Sequence, residues 1–299
     1  MERRNILMSI FKGVGVALVT PFNSNGVNYD EFGKLLEHVV DGGADAVIVC
    51  GTTGEPSTMT KDERLGVIRF AVKKIDGRVP VIAGTGANDT LAAIEMSKLA
   101  EAEGADGLLI VTPYYNKCTQ KGLIAHYTAI ADAVSIPIIL YNVPTRTCVN
   151  ILPETAAALS SHKNIVAIKD ASENVDHLLA MCRVCDGKLD IYSGNDTYTS
   201  FLMSLGSVGV ISVAANVIPN KMKQITDLCF AGKYGDARKI AWEIDPLVKA
   251  MFIEVNPIPT KKALQLMGIN AGLPRLPLTE LSDDGTAVLK KEMKALKLI

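Results

Sequence analysis

Pro137-Ile-Ile-Leu-Tyr-Asn-Val-Pro144 and, 28 residues further on, Ile165-Val-Ala-Ile-Lys-Asp-Ala-Ser172 are two versions of one pattern. Each is a short, β-branched, apolar run that turns polar at its carboxyl end, the profile of a strand buried on both faces. Six further runs share the character: Val14–Phe22, Ala46–Glu55, Val79–Gly86, Gly107–Tyr115, Asp190–Asp196 and Gly209–Asn216. Successive starts along the chain lie 32, 33, 28, 30, 28, 25 and 19 residues apart, enough each time for a helix to cross back. The intervening stretches, such as Tyr29–Asp41, Lys61–Ile75 and Thr90–Glu103, carry apolar residues at three- and four-residue spacing with charges opposite. Eight strand–helix units predict an α/β chain closed into a (β/α)8 barrel (a TIM barrel), with an open doubly wound sheet as the alternative.

From Val217 the strand signal stops, and a helical pattern is expected through Ile299. Those last 83 residues exceed one crossover helix, which predicts a C-terminal helical extension packed on the barrel. The expected organisation is an N-terminal extension over 1–10, a catalytic barrel over 11–230 and the helical extension over 231–299. With 48% hydrophobic and 21% charged residues, the 299-residue chain is not a disordered one. Lys+Arg is 31 and Asp+Glu 32, a net charge of −1, so there is no basic excess to bind nucleic acid. The same balance leaves little repulsion between copies of the chain. Mean hydropathy is high at +0.22, yet no apolar run approaches the roughly 18 residues of a membrane span. The first twelve residues have too short an apolar stretch, broken by Ser9, for a signal peptide, so a cytoplasmic protein is expected. The six cysteines show no disulfide-scaffold spacing and are expected to be reduced.

A barrel of this class keeps its chemistry at the carboxyl ends of its strands. Lys169 is the only Lys or Arg within the eight runs, and alternation puts Ile165, Ala167 and Lys169 on one face, into the barrel. Burial disfavours an ammonium, and a neutral amine in a dry pocket is what imine chemistry on a carbonyl requires. The competing reading is a lysine that snorkels at the strand end or pairs with Asp170 or Glu173. Tyr115 and Tyr141 end their runs, where phenols can relay protons if Thr52 or Thr53 completes a chain, or can simply pack as rim aromatics. Arg146, five residues after Tyr141, could hold a carboxylate, or be a solvated charge. Gly51-Thr-Thr-Gly54 offers an anion cradle without the lysine of a phosphate loop. Gly84-Thr-Gly86 lacks the third glycine of a dinucleotide site, Cys182-x-x-Cys185 has no second pair, and His38, His126, His162 and His177 are scattered, so no metal site is expected.

Together these segments resemble the dihydrodipicolinate synthase family, within the pyruvate-dependent class I aldolase superfamily of N-acetylneuraminate lyase. The resemblance runs from about Phe11 through the barrel and includes Asn256-Pro-Ile-Pro-Thr-Lys261. Gly51-Thr-Thr-Gly-Glu55, Tyr141-Asn and the lysine of run six mark the superfamily, and the arginine of Tyr141-Asn-Val-Pro-Thr-Arg146 narrows it to the synthases. The resemblance implies that Lys169 forms an imine with pyruvate and that Tyr141 passes protons to and from it. Thr52 and Tyr115 would complete a hydroxyl relay, with Tyr115 reaching in from a neighbouring subunit. Thr53 would hold the pyruvate carboxylate, Arg146 would orient L-aspartate 4-semialdehyde, and Gly194 and the Ile211 carbonyl would line the pocket. It further implies a homotetramer built as a dimer of dimers, no metal or organic cofactor, and a product, 4-hydroxy-tetrahydrodipicolinate, that feeds diaminopimelate and lysine synthesis. At the positions of the family's lysine feedback site stand Lys61, Arg64 and Ala92, with Asn88 and Tyr114 kept. Two cations there would repel the ligand's ammonium, so weak or absent lysine inhibition is expected. Two other readings compete: a related aldolase or dehydratase acting on a 2-keto-3-deoxy sugar acid or sialic acid, against which Arg146 argues, and a non-catalytic keto-acid-binding barrel, which needs Lys169 to be inert.

Overall fold

Eight parallel strands close on themselves in chain order. They are β1 (Gly13–Ala17), β2 (Ala46–Val49), β3 (Val81–Gly84), β4 (Gly107–Val111), β5 (Ile138–Asn142), β6 (Ile165–Asp170), β7 (Asp190–Ser193) and β8 (Gly209–Ser212). β1 pairs with both β2 and β8, so the ring has no edge and the open-sheet alternative is excluded. The computed structural model describes residues 9–299, and most of the extension expected over 1–10 lies outside the described residues.

The strands are shorter than the apolar runs because the polar carboxyl ends of the runs leave the ladder. β2 stops before Cys50, whose φ of 54° turns the chain into a 3₁₀ turn at Thr52–Gly54. The first run ends instead in a two-residue antiparallel ribbon, Phe22–Asn23 with Gly26–Val27. One expectation of alternation fails. The β5–β6 register shifts between Ile138, opposite Ile165, and Ile139, opposite Ala167. Ile165 therefore packs in the outer core, whereas Val166 and Ala167 belong to the barrel interior. A bulge inserts one residue and flips the faces before it, leaving Ala167 and Lys169 inward.

The crossover helices are α1 (Tyr29–Asp41), α2 (Lys61–Ile75), α3 (Thr90–Ala102), α4 (Gln120–Asp132), α5 (Pro153–Leu159), α6 (Val175–Cys185), α7 (Thr199–Ser204) and α8 (Pro219–Phe230). α1 buries Phe32, Leu35, Leu36 and Val39 along one stripe. α2 starts on a reciprocal cap in which Thr60 Oγ1 accepts from the Glu63 N–H and Glu63 accepts from the Thr60 N–H. Two apolar layers result, one between strands and helices and a smaller one inside the barrel. Phe11 enters the interior from the amino-terminal end and stacks on Tyr192 at 4.3 Å, accepting the phenol proton on its carbonyl at 2.7 Å. Gly15 makes this possible, since a Cβ there would stand 2.6 Å from the Phe11 ring and 2.8 Å from Ile48.

Three more helices follow: α9 (Tyr234–Ala250), α10 (Ile258–Leu266) and α11 (Asp283–Ala295). α9 packs on α7, α8 and α11. The helical pattern expected through Ile299 is interrupted over residues 267–282, where Gly268, Gly272, Pro274 and Pro277 fall close together and helix cannot propagate. No helix among the described residues is long and apolar enough to cross a membrane.

Candidate active site

Lys169 is 4% exposed, and its Nζ stands 4.3 Å from the centroid of the Tyr141 ring. The barrel register puts the two side by side, Tyr141 opposite Lys169, with Tyr192 opposite Lys169 on the other side. Among the described residues Lys169 makes no salt bridge. Asp170, the partner suggested by the competing reading, faces the other side of the wall and accepts from His177 at 3.1 Å. The carboxyl that responds to the Lys169 charge is Asp196. Burial pushes it up, and hydrogen bonds from Ser212, Ala214 and Val213 and the lysine's positive charge pull it back.

Two adjoining chambers open at the carboxyl ends of the strands, of about 300 and about 600 Å³. Lys169, Thr53 and Gly194 line the smaller, Tyr115 lines the larger, and Thr52, Tyr141 and Arg146 line both. Ile211 is buried in the barrel interior, and the residue of that segment that lines the smaller chamber is Val213. A Cβ on Gly194 would stand 2.6 Å from that of Ala171, so only glycine lets the β7 loop pass this close to β6. Arg146 is exposed and makes no ion pair among the described residues, leaving its guanidinium available to an anion. Tyr115 is 92% exposed with φ of 69° and projects away from the wall.

Left-handed backbone concentrates here. Of seven non-glycine residues with positive φ among those described, Cys50, Glu55, Tyr115, Cys148 and Glu173 lie in the loops after β2, β4, β5 and β6. Each such residue costs on the order of 1 kcal/mol, and strain of this kind collects at functional sites.

The helical extension reaches back into this region through residues whose roles sequence reasoning missed. Thr53 Oγ1 accepts from Asn256 Nδ2 at 2.9 Å, while Asn256 Oδ1 accepts from Thr260 at 3.2 Å, which fixes the amide's orientation. Since Asn256 donates, the Thr53 hydroxyl proton is left to point elsewhere, and the smaller chamber, which both residues line, can take it. Two residues on, Glu55 pairs with Lys261 at 2.6 Å with both side chains buried, and also accepts the Arg275 N–H at 2.9 Å. Burial pushes the Lys261 amine down against the pull of Glu55. The only sequence signal was the segment Asn256–Lys261, whose partners lie about two hundred residues away.

Around the larger chamber, Arg64 donates to the Gly84 carbonyl at 3.1 Å and Asn88 to the Tyr114 carbonyl at 3.3 Å, while Lys61 pairs with Glu95. All six cysteines are free, and burial pushes the thiols of Cys50 and Cys185 up to about 12, far from reactive thiolates.

A model of the dihydrodipicolinate synthetase family matches residues 10–296. The 4-hydroxy-tetrahydrodipicolinate synthase of Thermoanaerobacter sp. (strain X514) is 52% identical over 293 residues, covering 98% of this chain and 99% of that one. Dihydrodipicolinate synthase of Thermotoga maritima superposes with a TM-score of 0.96 at 40% identity, covering 97% of this chain and 100% of the other. A chloride-inhibited dihydrodipicolinate synthase of Acinetobacter baumannii, solved with pyruvate, gives 0.94 at 42% identity, covering 96% and 99%.

Proposed function

The chain belongs to the dihydrodipicolinate synthetase family, and from this we propose how its residues carry out the family's reaction. It is an enzyme, a lyase that condenses pyruvate with L-aspartate 4-semialdehyde to 4-hydroxy-tetrahydrodipicolinate, in lysine biosynthesis. The observation that carries the residue assignment is Lys169, a buried amine that makes no salt bridge among the described residues, over the Tyr141 ring at the wall of a cavity.

The Lys169 amine attacks the pyruvate carbonyl and expels water, giving an imine. Tyr141 handles the protons of that exchange, and Thr52 with Tyr115 completes the path to solvent. Thr53 binds the pyruvate carboxylate. The protonated imine draws electrons from the methyl group, which loses a proton and becomes the terminal carbon of an enamine. That carbon bonds to the aldehyde carbon of the second substrate, held by Arg146 through its carboxylate, and the aldehyde oxygen takes up a proton as the new hydroxyl. The substrate amino group then attacks the imine carbon, closes the ring and releases Lys169. Gly194 and Val213 bound the pocket, with Ile211 buried behind them in the barrel interior. The lysine supplies the activation, so the reaction calls on no metal or organic cofactor. Tyr115, almost wholly exposed on one chain, serves a neighbour's site in a homotetramer assembled as a dimer of dimers. The enzyme works in the cytoplasm on two small-molecule substrates.

Borohydride reduction with pyruvate, followed by intact mass and peptide mapping, tests the assignment. One pyruvate-derived adduct on Lys169, absent from Lys169→Ala, is the expected result. A folded, pyruvate-saturated protein without an adduct would overturn it. Arg64, which lines the larger chamber, and Lys61, three residues before it in the chain, lead to a second expectation, that free lysine inhibits weakly or not at all. Steady-state inhibition at sub-millimolar lysine would contradict that.

A further inference from the structure

Asn142 and Asp170 directly follow Tyr141 and Lys169, so strand alternation turns them to the outside of the barrel wall, where both are buried. They meet Asn150, from the far end of the loop after β5, and His177, from the first turn of α6. The four side chains form a closed ring. Asn142 Oδ1 accepts from the Ile151 N–H at 2.9 Å, so its Nδ2 faces the ring and donates to Asn150 Oδ1 at 2.8 Å and to Asp170 Oδ2 at 3.3 Å. With its oxygen engaged, Asn150 presents Nδ2 to His177 Nδ1 at 3.4 Å, and the imidazole must accept there. The imidazole proton then sits on Nε2, 3.1 Å from Asp170 Oδ2, and the Ser172 N–H satisfies the other carboxylate oxygen at 2.8 Å.

We infer that this ring is a positioning device that holds the Arg146 loop against the ends of β5 and β6 from outside the barrel, with His177 as the residue that closes it. The loop carrying Arg146 leaves the barrel at Asn142 and its far end is Asn150, so both ends are ring members and the ring sets its span. The backbone of the same strand residues ties in the cavity wall: the Asn142 carbonyl accepts from Ala171 at 2.9 Å and the Asp170 carbonyl from Gly194 at 2.7 Å. The carboxylate cradle at Thr53 is secured by a separate set, Asn256 and the Glu55–Lys261 pair. A lesion in the ring therefore falls on the aldehyde half of the reaction rather than the pyruvate half. The inference rests on the proposed roles of Lys169 and Arg146.

The test compares three variants in steady state. His177→Phe fills the space without either hydrogen bond, and Asn150→Ala frees the loop while leaving the Asp170–His177 pair. His177→Gln supplies one acceptor and one donor, as the imidazole does. For the first two, KM for L-aspartate 4-semialdehyde rises about tenfold and kcat falls about tenfold with pyruvate KM within about twofold, as displaced reacting groups require. His177→Gln returns both parameters toward wild type. If His177→Phe folds poorly, Asn150→Ala carries the comparison. Unchanged kinetics, equal effects on both substrates, or lowered thermal stability alone would overturn the inference. Loss of the Lys169–pyruvate adduct in wild-type protein would instead overturn the reaction assignment, and that is scored before any ring variant is made.

Discussion

Two lysines lie almost out of reach of water, Lys169 on β6 at 4% exposure and Lys261 on α10 at 1%. Lys261 is surrounded: Glu55 at 2.6 Å, the Leu273 carbonyl at 3.3 Å and the Phe22 ring 4.3 Å from its nitrogen. Lys169 has the Tyr141 ring at the same 4.3 Å and then a cavity. An unpaired buried ammonium is expensive, so a fold retains one only where something else compensates or the charge is shed in use. The saturated lysine fastens the helical extension to the loop bearing Thr53, and the unsaturated one is left for a ligand. The same division recurs across the barrel wall, where Asn142 and Asp170 are fully bonded while their neighbours Tyr141 and Lys169 face open space.

Exchanging the two fates gives the largest expected effects. Lys169→Ala should remove turnover by a factor on the order of 10⁴ or more, as loss of a covalent nucleophile does, with the denaturation midpoint near wild type. Lys261→Met should do the reverse, lowering stability by about 3–5 kcal/mol because it strands Glu55 in the interior. Pairing it with Glu55→Gln should recover most of that loss. Denaturant titrations beside steady-state rates read both quantities, and a fully stable Lys261→Met protein would dissolve the contrast.

The fold was legible because eight apolar runs at regular spacing leave few other architectures, and Lys169 stood out because it interrupts one of them. What alternation could not foresee is the bulge at β5–β6, which moves Ile165 to the outer core and depends on how two strands pair. Local patterns are equally blind to Asn256 and Thr53, which meet across 203 residues of chain. His177 looked scattered because its three ring partners come from one strand, the next strand and the loop between. Such contacts exist only once the barrel closes.

Asn256 offers the next sharpening of the comparison, since it acts on substrate from the structural side. By donating to Thr53 it leaves that hydroxyl free to donate to an anion. Asn256→Ala should raise pyruvate KM about tenfold, the value of one hydrogen bond to a charged group, with a smaller change in kcat. Asn256→Asp should raise it further, because a carboxylate there accepts the Thr53 proton and repels the incoming one. Equal KM values for wild type and both variants would assign Thr53 no part in carboxylate binding.

The smallest effect is a slope. Burial outweighs the attraction of Glu55 and holds the Lys261 pKa below its ordinary 10.5. At pH values between the folded and unfolded pKa, the unfolded chain binds more protons than the folded one, so stability contributed by this group rises with pH. The penalty for carrying its charge is complete below the folded pKa and is relieved as pH climbs through it toward 10.5. The double variant Glu55→Gln with Lys261→Met lacks the group and keeps nearly all other titrations. Wild-type stability should therefore gain on that of the double variant as pH is raised through the alkaline range. A wild type that loses ground over that range would mean that Glu55 holds the lysine charged more strongly than burial discharges it.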